Sequence, residues 1–328
     1  MLSALDFDRA RRRLGEVLQP TPLQYSATFS RYTGHDVWIK PENLQKTGAF
    51  KARGAYNKLT KLTDEQRSAG VITASSGNHG AAVAWAASEL GTSATVVMPV
   101  DAPQSKLRAV AGYGAEIIQH GMYADERKAR AKQLAETGGK TYVDSTDDED
   151  IIEGQGTCAV EIIEELPDVD AIVGPVGGGG LMSGVTAAAK LHRESIETVA
   201  VEPSGCCSMY CSIEAGHPVE VKVDTIADGL RTRIPGETPF SYISRYTDAF
   251  HLVAEDLIKD AMLLILERMK MLCEPSGAVA PAGVLDGAVG GTGKKVVAIV
   301  TGGNVDLDLV RELVDSGLSR DWGDNLRP

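Results

Sequence analysis

No apolar run in the 328 residues comes near the roughly 20 that span a bilayer, so a transmembrane chain is not expected. The opening stretch, MLSALDFDRARRRLGEVL, mixes acidic with basic residues and has no apolar core of its own, so it does not read as a signal peptide. Positive charge is in short supply: 33 Lys and Arg stand against 45 Asp and Glu, for a formal net charge of −12. Nucleic-acid binding needs a clustered basic face, and none stands out. Anionic membrane surfaces are disfavoured for the same electrostatic reason. Cysteine is scarce and odd in number, at five. In a chain of this length that points to free thiols and a reducing, cytoplasmic setting, not a disulfide framework.

What the chain has in excess is glycine, 35 of 328 residues or about 11%, against a usual ~7%. Much of it falls in short clusters between apolar segments, where bare backbone can approach a ligand. Hydrophobic residues make up 43%, enough for a sizeable core.

Strand-like runs alternate with helical ones. Strands are expected at 35–40 (HDVWIK), 71–74, 94–98, 116–119, 171–173, 198–201 and 296–300. Helices are expected at 3–18, 50–62, after 80, near 104–113, 124–136, 156–165, 181–191, 256–272 and 306–316. Residues 203–250 read as irregular, and the acidic stretch 144–150 (DSTDDED) as a crossover. Such alternation implies parallel sheets joined by right-handed crossovers, in two α/β lobes with a ligand between them.

Four segments carry chemistry. In the first, IKPENLQKTGAFKARGAYN, the basic residues Lys40, Lys46, Lys51 and Arg53 read by default as solvated charge. Lys51 differs, because it follows a Thr-Gly turn and Phe50 at a helix start. A lysine desolvated there loses affinity for its proton and can form a Schiff base. In the second, ASSGNHG, the side chains of Ser75, Ser76 and Asn78 join glycines 77 and 80 just before a helix, which suits a carboxylate. An ordinary capped strand-to-helix turn is the competing reading.

The third segment, GPVGGGGLMS, sets Gly177, Gly178, Gly179 and Gly180 between an apolar strand and a helix, a cradle for phosphate. It fits neither the dinucleotide pattern, since Met182 or Ser183 takes the last glycine's place, nor a Walker loop. The fourth, VTGGNVD, presents Thr301 beyond a buried strand, where open α/β sheets bind ligands. Cys206, Cys207 and Cys211 lack a second ligand pair for zinc. Glu274 reads as the end of a helix before Pro275, with a site carboxylate as the alternative.

KTGAFKARGA, SSGNHG, PVGGGGLMSG, ADGLRTR, EPSGA and TGGN, in that order, resemble the fold-type II pyridoxal-phosphate enzymes, and within them the serine/threonine dehydratase and serine racemase group. The likeness runs from Pro20 to about Leu313. It implies a two-lobed α/β fold like that of the tryptophan synthase β chain, each lobe an open, mostly parallel sheet flanked by helices. A large cofactor-binding domain would comprise 1–64 and 148–328, and a small domain 65–147.

The same resemblance implies residue roles. Lys51 would carry the cofactor covalently and Phe50 would flank its ring. Asn78 would bond the ring hydroxyl. Gly177, Gly178, Gly179, Gly180 and Leu181 would hold the phosphate, and Thr301 would face the pyridine nitrogen. Ser75, Ser76, Gly77, Asn78 and His79 would line the substrate carboxylate, with Ser76 as the acid/base on the opposite face. A hydroxyl at position 301, unlike a carboxylate, leaves the ring a weaker electron sink, which favours prompt loss of a β-substituent. The implied reaction is the dehydration of a β-hydroxy amino acid to a 2-oxo acid and ammonia, with serine racemization or β-replacement as alternatives.

Some relatives bind a divalent cation through an EPSxADD-like segment. Here Glu202 matches, while Cys207 and Ser208 replace the acidic end. Arg127 is a candidate for greeting a second carboxylate, as in a 3-hydroxyaspartate, against the plainer reading of a solvated helix arginine. The implied partners are a small amino-acid substrate and a second copy of the chain.

Overall fold

The computed structural model describes residues 2, 5–102, 104–122, 124–320 and 322. In chain order the elements are α1 (Phe7–Gly15), β1 (Gln24–Tyr25), α2 (Ala27–Thr33), β2 (Asp36–Pro41), α3 (Lys51–Thr60), α4 (Asp64–Ala69), β3 (Val71–Ala74), α5 (Asn78–Glu89), β4 (Ala94–Met98), α6 (Gln104–Gly112), β5 (Glu116–Gln119), α7 (Ala124–Gly138) and β6 (Thr141–Tyr142). They continue with α8 (Glu149–Glu165), β7 (Ala171–Pro175), α9 (Gly180–His192), β8 (Glu197–Pro203), α10 (Ser208–Ala215), α11 (Glu237–Tyr246), β9 (Ala249–Val253), α12 (Glu255–Leu264), α13 (Pro275–Leu285), β10 (Lys295–Val300) and α14 (Leu307–Ser316).

The described strands form two sheets, β1-β2-β10-β7-β8-β9 and β5-β4-β3-β6. Every pairing is parallel except the short β1–β2 edge. The larger sheet is covered on both faces, as parallel sheets require. Along β10, Val296, Ala298 and Val300 enter one core with α12 and α13, while Val297 and Ile299 enter the other with α8 and α9. Each such buried aliphatic side chain contributes about 1.5–3 kcal/mol.

Several elements differ from the sequence reading. The expected helix at 3–18 is shorter, and its residues 3 and 4 lie outside the described residues. The acidic stretch 144–150 does not simply interrupt the chain. Asp148 caps α8 by accepting from the amides of Asp150 at 2.9 Å and Ile151 at 3.3 Å, so the helix begins two turns before 156. Residues 203–250 hold two helices, α10 and α11. The helix expected over 256–272 ends at Leu264 in a wide turn, Ile265–Met269, and Lys270 then takes a left-handed φ of 59°.

Helices α3, α8 and α9 touch backbone to backbone. A Cβ on Gly154 of α8 would lie 2.7 Å from Gly54 Cα of α3. A Cβ on Gly184 of α9 would lie 2.3 Å from the Ile152 carbonyl and 2.5 Å from the Gly156 amide of α8. At the N-terminus of α3 stands Lys51, and at the N-terminus of α9 stands Gly180.

Candidate active site

In the larger sheet β2, β10 and β7 are neighbours. The segments after their carboxyl ends hold Phe50 and Lys51, Thr301, and glycines 177–180 respectively. Chain direction alone thus gathers three of the four sequence-predicted segments, in the place where open α/β sheets take ligands. The fourth, 75–79, follows the carboxyl end of β3 in the smaller sheet.

The Lys51 ammonium donates to the Ser145 carbonyl at 3.0 Å and lies 5.0 Å from the centre of the Phe50 ring. Burial, with help from Lys128 and against the pull of Asp144, lowers its pKa to about 8. Ser145 belongs to the acidic stretch. Its neighbour Thr146 donates its backbone N–H to Asp144 Oδ1 at 3.0 Å. Burial would raise the Asp144 carboxyl, but Lys128 and the amides of Asp147 and Thr146 bring it down to about 2.

Thr146 packs on the glycine bend. A Cβ on Gly178 would come within 2.7 Å of Thr146 Cγ2, and one on Gly180 within 3.0 Å of Thr146 Cα. Gly179 has a left-handed φ of 93° and begins α9 without a side-chain cap, which leaves the first amides of that helix for another acceptor. Gly177 borders Leu230 and Thr232 of the ADGLRTR segment. Leu181 is buried below the bend.

A second cluster surrounds Asn78. Its Nδ2 donates to Glu274 Oε1 at 2.6 Å, and its Oδ1 accepts from Asn304 Nδ2 at 2.8 Å. Thr301 is buried, with its hydroxyl donating to the Ser276 carbonyl at 3.4 Å. Its own carbonyl accepts from the Phe50 amide at 3.0 Å. The reading of Glu274 as a helix end is overturned, because it is the N-cap of α13 with Pro275 as the first helical residue. Burial, with Asp228 nearby, pushes the Glu274 carboxyl up to about 8.

Within the 75–79 turn, Ser75 Oγ accepts from the Gly77 amide at 3.1 Å, and Ser76 is exposed. His79 is buried, its Nε2 3.4 Å from the Val143 carbonyl. Burial, then the charge of Lys51, lowers its pKa to about 3. It is therefore neutral near pH 7, and as the carbonyl can only accept, Nε2 carries the proton.

Other expectations fall away from this centre. Glu202 is buried and pushed up to about 8 by desolvation. Both its oxygens accept from backbone amides, of Met209 at 3.0 Å and Tyr210 at 2.7 Å. Among the described residues no three His, Cys, Asp or Glu side chains are placed to hold a metal ion. Arg127 is buried, not solvated, and its guanidinium donates to the Met122 carbonyl at 2.8 Å.

The default of solvated charge also fails for Lys40 and Arg53, which are 1% and 0% exposed. Arg53 meets Glu42 Oε2 at 2.7 Å and Glu161 Oε2 at 2.7 Å, and Lys40 meets Glu161 Oε2 at 2.6 Å. The sequence reading missed Ser145, Thr146, Asn304 and this ion cluster. Most of their partners lie far off in the chain, as with Lys51 and Ser145, Asn78 and Asn304, and Arg53 and Glu161, so no local pattern marks them.

A desolvated lysine, a side-chain-free anion cradle and two parallel sheets together define a cofactor-dependent α/β enzyme. The chain belongs to the family described as "Pyridoxal-phosphate dependent enzyme", whose profile matches residues 15–302. Within that family it is a fold-type II enzyme of the serine/threonine dehydratase group. It is 41% identical over 319 residues to an L-threonine ammonia-lyase of Thermotoga maritima, covering 97% of this chain and 79% of that one. It is 39% identical over 324 residues to a catabolic L-threonine dehydratase of Staphylococcus aureus, covering 97% and 94%. The solved structure of maize serine racemase superposes with a TM-score of 0.90 at 37% identity, over 94% of this chain and 96% of that one.

The residues present fit pyridoxal phosphate. The bend has no room for a Cβ at Gly178, the helix behind it offers uncapped amides, and Lys51 has a depressed proton affinity.

Proposed function

We propose that this protein dehydrates a small β-hydroxy amino acid, L-threonine or L-serine, to a 2-oxo acid and ammonia. The observation that carries the reading is the meeting of Lys51 with the glycine bend through Ser145 and Thr146. The names of the two bacterial relatives support the substrate class.

In this reading Lys51 holds the cofactor, Phe50 flanks it, glycines 177–180 with Leu181 hold its phosphate, and Asn78 and Thr301 bond its ring. When bound, the cofactor draws electrons away from the Cα of the amino acid. Lys51 Nζ, with its proton affinity already lowered by burial, takes the Cα proton. Lys51 Nζ passes that proton on to the β-hydroxyl, whose C–O bond breaks as it leaves as water. A second water then adds at the former Cα, ammonia departs, and the 2-oxo acid remains. The Ser75–His79 turn orients the substrate carboxylate through the first amides of α5. Neutral His79 orients without adding charge. Residues 65–147 act as a small domain on a large one formed by 1–64 and 148–328, with the substrate between them. The reading further takes the protein as a cytoplasmic homodimer. All five cysteines are thiols, including Cys207 and Cys211 with their sulfurs 3.7 Å apart, which suits a reducing compartment.

The holoenzyme is expected to release 2-oxobutanoate and ammonia from L-threonine, or pyruvate and ammonia from L-serine, in equal amounts. Chiral chromatography of the remaining serine tests the competing reading. Exposed Ser76 and the maize structure favour racemization as that second activity, and D-serine outpacing pyruvate would make it the principal one.

The phosphate role of the bend has its own test. In Gly178→Val the new side chain would collide with Thr146, so affinity for pyridoxal phosphate should fall on the order of 10-fold or more, as loss of a charge-assisted hydrogen bond would give. Absorbance titration of the refilled apoprotein reads this. Unchanged affinity would move the phosphate elsewhere.

A further inference from the structure

Lys106, in α6, reaches out of the smaller sheet's helices to Asp228 of the ADGLRTR segment, Nζ to Oδ2 at 2.5 Å. Asp228 opens the turn Asp228–Leu230, which a bond from the Gly229 amide to Ser276 Oγ at 2.8 Å ties to α13. The same lysine borders the 75–79 turn. A Cβ on Gly77 would lie 3.3 Å from Lys106 Cδ and 3.6 Å from its Nζ. Gly77 begins α5 without a side-chain cap. One ammonium therefore stands between a carboxylate of the chain and a turn suited to a carboxylate from outside.

We propose that Lys106 is a substrate-binding residue whose ammonium is shared in competition: Asp228 holds it in the free protein, and the carboxylate of the α-amino acid draws it to the Gly77 turn. The inference rests on the reading of 75–79 as the carboxylate site and adds a cation and a competitor to it.

The energetics allow the exchange. The two side chains are 22% and 37% exposed, and a pair so open to water is worth only about 0–1 kcal/mol. A carboxylate at the start of α5 would gain uncapped amides, the positive end of the helix and the ammonium together. Glu274 lies within electrostatic reach of both Lys106 and Asp228, which places the pair at the mouth of the site.

The exchange makes the two partners act with opposite sign. In the holoenzyme, Lys106→Met should raise the KM for the amino-acid substrate on the order of 10-fold, the size of one lost charge-assisted hydrogen bond. Asp228→Asn should lower it severalfold, because the competitor is gone. Glycerate, which keeps a carboxylate and lacks the amine, should follow the same two directions in calorimetric binding. L-threoninamide, which lacks the carboxylate, should bind Lys106→Met and the wild type alike. Lys106→Arg keeps the charge and guards against a folding defect.

If both variants weaken glycerate binding equally, the pair is only a structural strap and the proposal is overturned. If neither changes it, Lys106 does not bind carboxylate. A wild type that forms no oxo acid and no D-enantiomer from any β-hydroxy amino acid would instead sink the reading of the site, while the glycerate measurement still decides the role of Lys106.

Discussion

Lys51→Ala is expected to lose turnover by at least about 10³-fold, the share that a placed acid/base and covalent anchor supply. It should also lack the absorbance near the visible edge that is expected of the purified wild type. Among the described residues the side chain makes a single hydrogen bond, to the Ser145 carbonyl, and no ion pair. The variant should therefore fold, with an unchanged circular dichroism spectrum. Borohydride treatment of the wild type should fix the cofactor to the peptide that contains position 51. Retained turnover, or a label on a different lysine, would remove the basis of the functional reading.

Arg53→Met should be the most damaging single change to stability, costing about 3–5 kcal/mol because it leaves buried carboxylates without their cation. Glu42 is 0% exposed and takes two bonds from Arg53, to Oε2 and Oε1, both at 2.7 Å. Burial alone would raise the Glu42 carboxyl, but Arg53 and Lys40 hold it below its ordinary value. Glu161 is likewise brought down to about 2, chiefly by Arg53 against burial.

The sign of the pH effect follows. In the wild type both carboxyls bind protons less readily when folded, so they add stability above pH 4.5 that is lost as pH falls through their folded values. In Arg53→Met, burial acts on Glu42 with only Lys40 to oppose it. Folding then takes up protons, and stability falls as pH rises. The gap between variant and wild type in urea denaturation should widen from pH 4 to pH 7. A gap that narrows, or Arg53→Met matching the wild type, would show that the cluster is not paired in solution.

The sequence shows the larger outline because the chemistry of this fold is local. A bare-glycine bend must directly follow a strand, and Lys51 must directly follow the turn that exposes it, so each motif is a contiguous string. The strands 71–74, 94–98 and 116–119 are legible to the residue, since Val- and Ile-rich runs there end at polar turns. Helix α13 was not legible. PSGAVAPAGVL is apolar on every side and carries Pro281 inside, so neither periodicity nor propensity marks it. Burial against the larger sheet makes the helix, and that is a tertiary fact.

The electrostatic partners failed for a related reason. Asn78 and Glu274 stand 196 positions apart, and Arg53 and Glu161 stand 108 apart. Charge in a sequence reads as surface until its counter-ion is known. Glu202 is a different case. A carboxylate that could serve a cation spends both oxygens on the start of α10.

The stacking of α3 on α8 and of α8 on α9 sets a length. Because main chain rests on main chain at Gly54–Gly154 and Gly156–Gly184, the separation between the amine at one end and the bend at the other is a ruler made of peptide bonds. Adding one methyl group at Gly184, 2.3 Å from the Ile152 carbonyl, would push the helices apart and strain the reach of a molecule of fixed span to both ends at once.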